Sequence, residues 1–376
     1  MKEIYFDNSA TTQVTTEVLN EMMPFLTIGY GNASSVYSKG RESKRAIEKA
    51  RKRVAELINC EAKEIYFTAG GSESDNIALK GLAYANKQKG NHIITSKIEH
   101  PAVLETCRYL QTQGFEVSYI NVNEEGIIKL EELKQAIKTS TILISIMAAN
   151  NEIGTIQPIE EISKIAHDYN IYFHTDAVQA VGNMKIDVKQ MGIDMLSLSG
   201  HKIHAPKGIG ALYVKNGISI EKIINGGHQE NNKRAGTENV AGIVGLGKAC
   251  EIANKNMEAH IRNLKRLRDY YIKKLKQEMP EKIRINGSME YRLPGNANIS
   301  FEGINSDELI YRLDEKGICV SAGSACSSGN SFPSYVLSEI KVPEKYLNSA
   351  IRTTFGDNNT FEEIDYLVKI IKKECF

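Results

Sequence analysis

The feature that most constrains this chain is a regular alternation of short apolar runs and helical patterns over roughly its first 250 residues. Seven runs have the length and composition of buried strands, at residues 64–68, 92–96, 115–120, 141–147, 171–175, 194–199 and 211–215. Helical segments are predicted at residues 73–89, 101–113, 129–138 and 158–170. This alternation is typical of an α/β fold with a mostly parallel seven-stranded sheet flanked by helices. Ligands of such sheets bind at the carboxyl ends of the strands.

The pattern changes after a long helical stretch at about residues 239–278. The segments that follow predict a smaller α+β domain, with strands at 297–301, 318–321 and 349–356 and helices at 306–317 and 360–374. A length of 376 residues is consistent with two domains. We therefore predict a large domain at 13–255 and a small domain formed by residues 1–12 and 256–376.

Composition excludes several classes of function. The formal net charge is +1, so nothing global favours nucleic acid or an anionic membrane as a partner. No apolar run approaches the length of a membrane span, and the N-terminal residues MKEIYFDNSATT lack the character of a signal or transit peptide. Six widely spaced cysteines without a CxxC pair favour a reducing compartment over a disulfide scaffold. The expected location is the cytoplasm.

One cysteine stands in unusual surroundings. Cys326 lies in the segment VSAGSACSSGN, residues 320–330, among serine, glycine and alanine. Cysteine is normally one of the most buried residue types, and this segment has no apolar neighbour to bury it. Two interpretations are open at this point: an incidental surface cysteine in a linker, or a nucleophile on a mobile arm.

The segment FTAGGSESDN, residues 67–76, has the pattern of a phosphate site. A strand ends, two glycines follow, and Ser72 opens a helix with Glu73 in its first turn. Glycine lets the backbone approach a ligand closely, and a helix N-terminus attracts phosphate. The simpler alternative is a plain helix start capped by Ser72. Neither a GxxxxGK[ST] motif nor a GxGxxG motif that opens a helix after a strand is present, so a dinucleotide site has little support.

Two further segments place polar residues after predicted strands. Asp176 and Gln179 lie in HTDAVQ, residues 174–179, where a buried carboxylate needs a cationic or donor partner. A helix-starting aspartate is the alternative. In SLSGHK, residues 197–202, Lys202 follows a strand and a glycine, near Ser199 and His201. Burial makes a lysine amine a nucleophile toward carbonyl groups. His201 and His204 form an HxxH pair without a third ligand, so no metal site is predicted.

These three signals together match the requirements of one cofactor. A helix N-terminus holds a phosphate, an aspartate pairs with a pyridinium nitrogen, and a lysine forms a Schiff base. Pyridoxal 5′-phosphate has all three requirements. Each signal is weak alone, and their combination is what gives the prediction its specificity.

The chain strongly resembles the cysteine desulfurases, pyridoxal-phosphate enzymes with the class V aminotransferase fold, fold type I. The resemblance runs from Tyr5 to about Gly356. It is carried by DNSATT (7–12), GNASS (31–35), GGSESDN (70–76), EHPAV (99–103), NNEIGTIQP (150–158), HTDAVQ (174–179), SGHK (199–202), GGHQE (226–230), RAGTEN (234–239), GSACSSG (323–329) and IRTTFG (351–356), in the family's order. The long GSACSSG segment is similar to that of group I, the NifS/IscS-type branch.

The resemblance implies roles for residues at matching positions. Lys202 forms the Schiff base with the cofactor, and Asp176 keeps the pyridine nitrogen protonated. Gln179 contacts the phenolic oxygen, and His100 stacks on the ring and shuttles protons. The residues that bind the phosphate are Gly71, Ser72, Ser199 and His201, together with Thr237 from the partner subunit of a homodimer.

The resemblance also implies how the substrate is held. Asn151 contacts the cofactor and, with Arg352, the substrate carboxylate, to which Arg352 makes a bidentate pair. Taken alone, His100 before Pro101 is also explained as a helix-entry histidine, and Arg352 as a surface arginine on a strand. Cys326 receives the sulfur and passes it to an acceptor protein, such as an iron–sulfur scaffold, during which it can contact a cluster transiently.

The function implied is removal of sulfur from L-cysteine, giving L-alanine and a persulfide on Cys326, for iron–sulfur cluster assembly or other thiolation. A selenocysteine lyase or another lyase or aminotransferase with the same cofactor is an alternative that does not need Cys326 for transfer. A non-catalytic sulfur-relay or scaffold partner is an alternative from another class. The presence of Lys202, Asp176 and His100 argues against it.

Overall fold

The computed structural model describes residues 3–323 and 333–375, and strands and helices alternate through most of this range. The strands are β1 (Ile4–Tyr5), β2 (Ile65–Thr68), β3 (His92–Ser96), β4 (Glu116–Ile120), β5 (Thr141–Ser145), β6 (Tyr172–Asp176), β7 (Met195–Ser199), β8 (Gly210–Val214), β9 (Ile283–Ile285), β10 (Asn296–Phe301), β11 (Ile318–Cys319) and β12 (Ala350–Thr354). The α-helices are α1 (Thr16–Thr27), α2 (Ser38–Ile58), α3 (Gly71–Ala85), α4 (Pro101–Thr112), α5 (Leu130–Ala136), α6 (Ile159–Asp168), the single turn α7 (Gln229–Asn232), α8 (Val240–Glu278), α9 (Ser306–Asp314), α10 (Tyr335–Glu339), α11 (Glu344–Leu347) and α12 (Phe361–Cys375).

The central sheet has seven strands in the order β2-β8-β7-β6-β5-β3-β4. Strand β8 is antiparallel to both of its neighbours, and the other pairings are parallel. Every residue of β3, β5, β7 and β8 is buried, because helices cover both faces of the sheet. The sheet confirms the prediction of seven strands in a mostly parallel arrangement.

The start of α3 differs from the sequence interpretation in which Ser72 caps the helix. Gly70 is the N-cap residue, with φ 151°, a conformation that favours glycine, and the helix begins at Gly71. A side chain at Gly71 would meet Val178, since an ideal Cβ would lie 2.6 Å from its Cγ2 atom. Ser72 therefore lies inside the first turn, and the capping alternative is wrong.

Two smaller sheets form the part of the fold that follows α8. Strands β12, β10 and β9 form an antiparallel sheet, and β1 pairs in parallel with β11. Single bridges join the two sheets, between Asp7 and Thr354 and between Ser321 and Arg352. The strand predicted at 318–321 is shorter than expected, because the pairing with β1 ends at Cys319.

Helix α8 runs without a break from one hydrophobic core into the next. Residues such as Leu246 and Ala249 pack in the core beneath the central sheet, whereas Leu264 and Leu267 pack with the small sheets. The domain boundary predicted at 255/256 falls inside this helix and stays a prediction. Although α8 has 39 residues, no helix within the described ranges is both long and apolar enough to span a membrane.

The residue after the N-terminal strand, Phe6, places its aromatic side chain in the second core. Phe6 is fully buried and packs edge-on against Phe355, with ring centroids 5.5 Å apart. Tyr271 of α8 contacts the same ring at 5.7 Å. Edge-to-face aromatic pairs add about 0.5–1.5 kcal/mol each beyond the burial of their area. Phe6 is thus packed close to the last strand, β12, and to the longest helix, α8.

We expect Phe6→Ala to lower the free energy of unfolding by about 3–5 kcal/mol, because it leaves a cavity among aromatic neighbours. Tyr311→Ala is the matched control, since the Tyr311 side chain is 65% exposed. Urea unfolding followed by circular dichroism measures both variants. Equal stabilities of the two variants would contradict the place of Phe6 in this core.

Candidate active site

One cavity at the carboxyl ends of the central strands collects nearly all of the predicted site residues. The residues that line it are Ser9, Ala10, Gly71, Ser72, Asp75, His100, Met147, Ala149, Asn151, Asp176, Val178, Gln179, Ser199, His201, Lys202 and Arg352. Of the predicted set, Thr237 is exposed and does not line the cavity of its own chain, and Cys326 lies outside the described residues. Strands β6 and β7 end at Asp176 and Ser199, as expected for a ligand site in an α/β sheet.

One end of the cavity is formed by the first turn of α3. The N–H groups of a first helical turn have no acceptor inside their own helix and lie at the positive end of its dipole. Gly71 and Ser72 bring such groups to the cavity, and Ser199 and His201 line it with them. Burial lowers the pKa of His201 to about 4, and the charges of Lys202 and Lys207 act in the same direction. This end therefore offers hydrogen-bond donors to an anion.

Asp176 is a buried carboxylate at the end of β6. It accepts a hydrogen bond from the Val178 N–H at 2.9 Å, and a turn follows it, so the alternative of a helix-starting aspartate is wrong. Burial raises its pKa, and the interactions with His100, the Val178 N–H and Lys202 oppose this rise only in part. A buried carboxylate in this state favours a cationic ligand, which would restore its ionised form.

Lys202 lies in a short 3-10 turn after β7 and reaches back to the N-terminal segment. Its Nζ donates to the carbonyl oxygens of Ser9 and Ala10, the latter at 2.8 Å. Gln179 Nε2 donates to the same Ser9 oxygen at 3.0 Å. The Thr12 hydroxyl donates to the His201 carbonyl at 3.0 Å. The motif DNSATT thus forms one wall of the site.

His100 is both a helix-entry residue and a cavity residue. It is the N-cap of α4, and its Nδ1 accepts a hydrogen bond from the Ala102 N–H at 3.1 Å. Burial lowers its pKa, Lys202 acts in the same direction and Asp176 opposes it. Because Nδ1 accepts this bond, the proton of the neutral ring resides on Nε2.

Arg352 is on β12 and is almost fully buried, with 1% of its surface exposed. Its Nη1 donates to the Asn151 carbonyl at 3.1 Å, and its Nη2 donates to Asp7 Oδ1 at 2.8 Å. The Nε of Arg352 and the Oδ1 of Asn151 are buried and have no hydrogen-bond partner among the described residues. These two unsatisfied groups give the cavity a donor and an acceptor for a polar ligand.

Asp75 is a cavity residue that the sequence analysis missed. It is buried on α3, and its Oδ1 lies 3.7 Å from His174 Nε2 and has no hydrogen-bond partner in the described part of the chain. Burial and the charge of Asp176 raise its pKa well above the ordinary value. Its spacing of three residues from Ser72 was the available signal, since residues at i and i+3 share a helix face.

The geometry and the comparisons define the same class of protein. The chain belongs to the aminotransferase class-V family, whose model matches residues 4–367. With this sheet and site, its architecture is that of the fold type I pyridoxal-phosphate-dependent transferases.

Particular relatives are similar over nearly the whole chain. "Cysteine desulfurase IscS" of Clostridium botulinum is 52% identical over 99% of this chain and 94% of its own. The solved structure titled "NIFS-LIKE PROTEIN" is 38% identical, with a TM-score of 0.93 and 99% of each chain covered. A structure titled "SspA in complex with cysteine" is 37% identical, with a TM-score of 0.83 over 96% of this chain and 100% of that one.

The buried histidine beneath the site predicts a pH dependence of stability. Both ring nitrogens of His174 bond to serine hydroxyls, Ser145 at 2.9 Å and Ser197 at 3.0 Å, and burial lowers its pKa from 6.5 to about 3. Below pH 6.5 the unfolded chain therefore takes up a proton that the folded chain does not, so stability falls as the pH falls. One such proton changes the free energy of unfolding by about 1.4 kcal/mol per pH unit.

We expect His174→Gln to remove this contribution. Between about pH 6 and pH 4, its free energy of unfolding should depend on pH less steeply than that of the wild type, by up to about 1.4 kcal/mol per pH unit. Urea unfolding at several pH values measures the slopes, with the exposed His228→Gln as the control. Parallel profiles for wild type and His174→Gln would contradict a neutral buried His174.

Proposed function

We propose that this protein is a cysteine desulfurase that uses pyridoxal 5′-phosphate to convert L-cysteine to L-alanine, with the sulfur retained as a persulfide on Cys326. The observation that carries the proposal is that Lys202, Asp176 and Arg352, distant in sequence, line one cavity. Relatives named cysteine desulfurase and a structural neighbour solved with cysteine support the reaction and the substrate.

The described residues fit the cofactor at each of its three polar groups. The α3 N-terminus offers donors to the phosphate, and no side chain fits at Gly71, so a ligand can approach the backbone there. Asp176 lacks a full counter-charge, which a protonated pyridine nitrogen supplies. Lys202 carries the primary amine that would hold the cofactor at its aldehyde carbon. When bound, the cofactor supplies an electron-accepting ring that is conjugated to the substrate amine.

The substrate carboxylate is assigned to the end of the cavity where Arg352 and Asn151 lie. The unsatisfied Nε–H of Arg352 is a charged donor in a site shielded from water, where such bonds are strong. The Lys202 amine would act as the base that takes the Cα proton of the substrate. His100 holds a proton on Nε2 and serves as a second proton carrier.

In the sulfur transfer step, the Cys326 thiolate attacks the substrate sulfur. A sulfur–sulfur bond forms, the Cβ–S bond breaks, and its electron pair stays on the carbon fragment. Protonation of that carbon completes L-alanine, so that one L-cysteine and one thiol give one L-alanine and one persulfide without an external oxidant or reductant.

The five cysteines within the described ranges are poor candidates for this nucleophile. Burial raises the thiol pKa of Cys60, Cys107, Cys250 and Cys375 to about 12, and it also raises that of Cys319. A thiol with a raised pKa is almost entirely protonated near neutral pH, and the thiolate is the reactive form. This contrast supports Cys326, with its glycine- and serine-rich sequence, as the sulfur acceptor.

We also propose a homodimer in which Thr237 completes the phosphate site of the partner. Thr237 is exposed, and residues before it form ion pairs with α2 and α3 of their own chain. Arg234 Nε binds Glu73 Oε1 at 2.9 Å, and the buried Arg51 binds Glu230 through two nitrogens at 2.6 and 2.8 Å. An exposed threonine on a segment held by these ion pairs is suited to contact a second copy.

The persulfide is then passed to an acceptor protein such as an iron–sulfur scaffold.

The first test is the mass of the Cys326 peptide after mixing the holoenzyme with one equivalent of L-cysteine without reductant. We expect the gain of one sulfur atom on that peptide and an equal amount of L-alanine. Cys326→Ser should lose both the added sulfur and sustained turnover, whereas Cys375→Ser, the matched control, should keep both.

The other outcomes separate the alternative functions. L-Alanine without a persulfide, unchanged in Cys326→Ser, would point to a lyase that releases its product directly. Neither product would point to an aminotransferase, detected by its amino-group transfer to a keto acid, or to a non-catalytic partner that does not bind the cofactor.

A second test concerns the lysine. We expect Lys202→Ala and Lys202→Arg to lose the visible absorption of the covalently bound cofactor and desulfurase turnover, because neither side chain has a primary amine. Retention of both signals in Lys202→Arg, which keeps the positive charge, would contradict the assignment of Lys202.

A further inference from the structure

We propose that Asp7, the first residue of the DNSATT motif, is a positioning residue that orients Arg352 for the substrate carboxylate. The inference rests on the proposed function, and it assigns to Asp7 a role in substrate selection that acts through Arg352 alone. Its basis is the contact between the two side chains and the way in which the backbone holds each of them.

Backbone pairing fixes both side chains relative to each other. Asp7 forms a bridge with Thr354 on β12, two residues from Arg352. The Thr354 N–H donates to the Phe6 carbonyl at 2.7 Å, and the Asn8 N–H donates to the Thr354 carbonyl at 3.3 Å. Asp7 is therefore held at β12 through both of its neighbours in sequence.

Both carboxylate oxygens of Asp7 have a specific partner. Oδ1 accepts from Arg352 Nη2 at 2.8 Å, and Oδ2 accepts from Ser321 Oγ at 2.6 Å. Ser321 is itself paired with Arg352, since the Arg352 N–H donates to the Ser321 carbonyl at 2.6 Å. The Ser321 hydroxyl thus holds the second oxygen of Asp7, so the carboxylate cannot rotate freely with the Arg352 guanidinium.

These contacts leave a defined part of the guanidinium for a ligand. Nη2 is bound to Asp7 and Nη1 to the Asn151 carbonyl, so the plane of the group is fixed at two corners. The buried Nε has no hydrogen-bond partner within residues 3–323 and 333–375. A planar guanidinium fixed in this way is preorganised for a carboxylate, because little freedom is lost when the ligand binds.

Asp7 also stabilises the buried charge of Arg352 before substrate arrives. Arg352 is 1% exposed, and among the described residues the other hydrogen-bond partner of its guanidinium is the neutral Asn151 carbonyl. An uncompensated buried charge is costly and tends to change its surroundings. Loss of the Asp7 charge should therefore let the guanidinium move from the position that a substrate carboxylate requires.

The test compares ligands that have and lack a carboxylate, in the holoenzyme. Asp7→Asn keeps the shape of the side chain and removes its charge, and the exposed Asp168→Asn is the matched control. We expect Asp7→Asn to weaken L-alanine binding, measured by calorimetry, and to raise KM for L-cysteine, each about tenfold, with a smaller change in kcat. Tenfold corresponds to the loss of about 1.4 kcal/mol.

Cysteamine, which has the amine and thiol of cysteine but no carboxylate, distinguishes positioning from general damage. Binding of cysteamine is followed by the change in cofactor absorption. We expect the cysteamine concentration that gives half of this change to be the same in Asp7→Asn as in the wild type. An equal weakening for cysteamine and L-alanine would show a structural or cofactor role and overturn the proposal, as would unchanged or tighter L-alanine binding.

A double-variant cycle tests whether Asp7 acts through Arg352. In Arg352→Ala, the further change Asp7→Asn should not weaken L-alanine binding. If it does, Asp7 acts independently, and the proposal fails. These binding measurements do not require sulfur transfer, so a wild-type protein that binds L-alanine but does not desulfurise L-cysteine would contradict the proposed function and leave the inference on Asp7 standing.

Discussion

The site depends on the pairing of the N-terminal segment with strand β12. This pairing buries Phe6 in the second core and directs the next residues across the cavity. The carbonyls of Ser9 and Ala10 then meet Lys202, and the Thr12 hydroxyl meets the His201 carbonyl. A segment of a few residues therefore connects the β12 end of the site to the Lys202 end. A change in the packing of either core would alter the distance between these two ends.

The charges in the cavity are arranged for a ligand that carries charge of both signs. Burial raises the pKa of Asp176 and Asp75 and lowers that of His100, so the neutral form of each group is favoured. At the α3 end, the free N–H groups favour an anion. A molecule with a phosphate at one end and a protonated ring nitrogen at the other compensates both regions. The charge preferences of the cavity residues thus favour the same cofactor as the sequence motifs.

The sequence predicted the central sheet well because its strands are buried on both faces and read as continuous apolar runs. It predicted most cavity residues because they directly follow these strands or occur in the family motifs. It did not predict the start of α3, which depends on the positive φ of Gly70. The contacts of Asp7 and Asp75 were also missed, since they depend on long-range pairing and on burial. Cys326 lies outside the described residues, and its assignment comes from the sequence motif.

The chain on both sides of residues 324–332 is held beside the cavity. Before this segment, Ser321 is paired with Arg352 and bonded to Asp7. After it, the Ser334 hydroxyl donates to the buried Glu152, which follows Asn151. The Tyr335 hydroxyl donates to the carbonyl of Glu99, next to His100. Both flanking stretches, Ser321 and residues 334–335, are therefore anchored at cavity residues or at their neighbours in sequence.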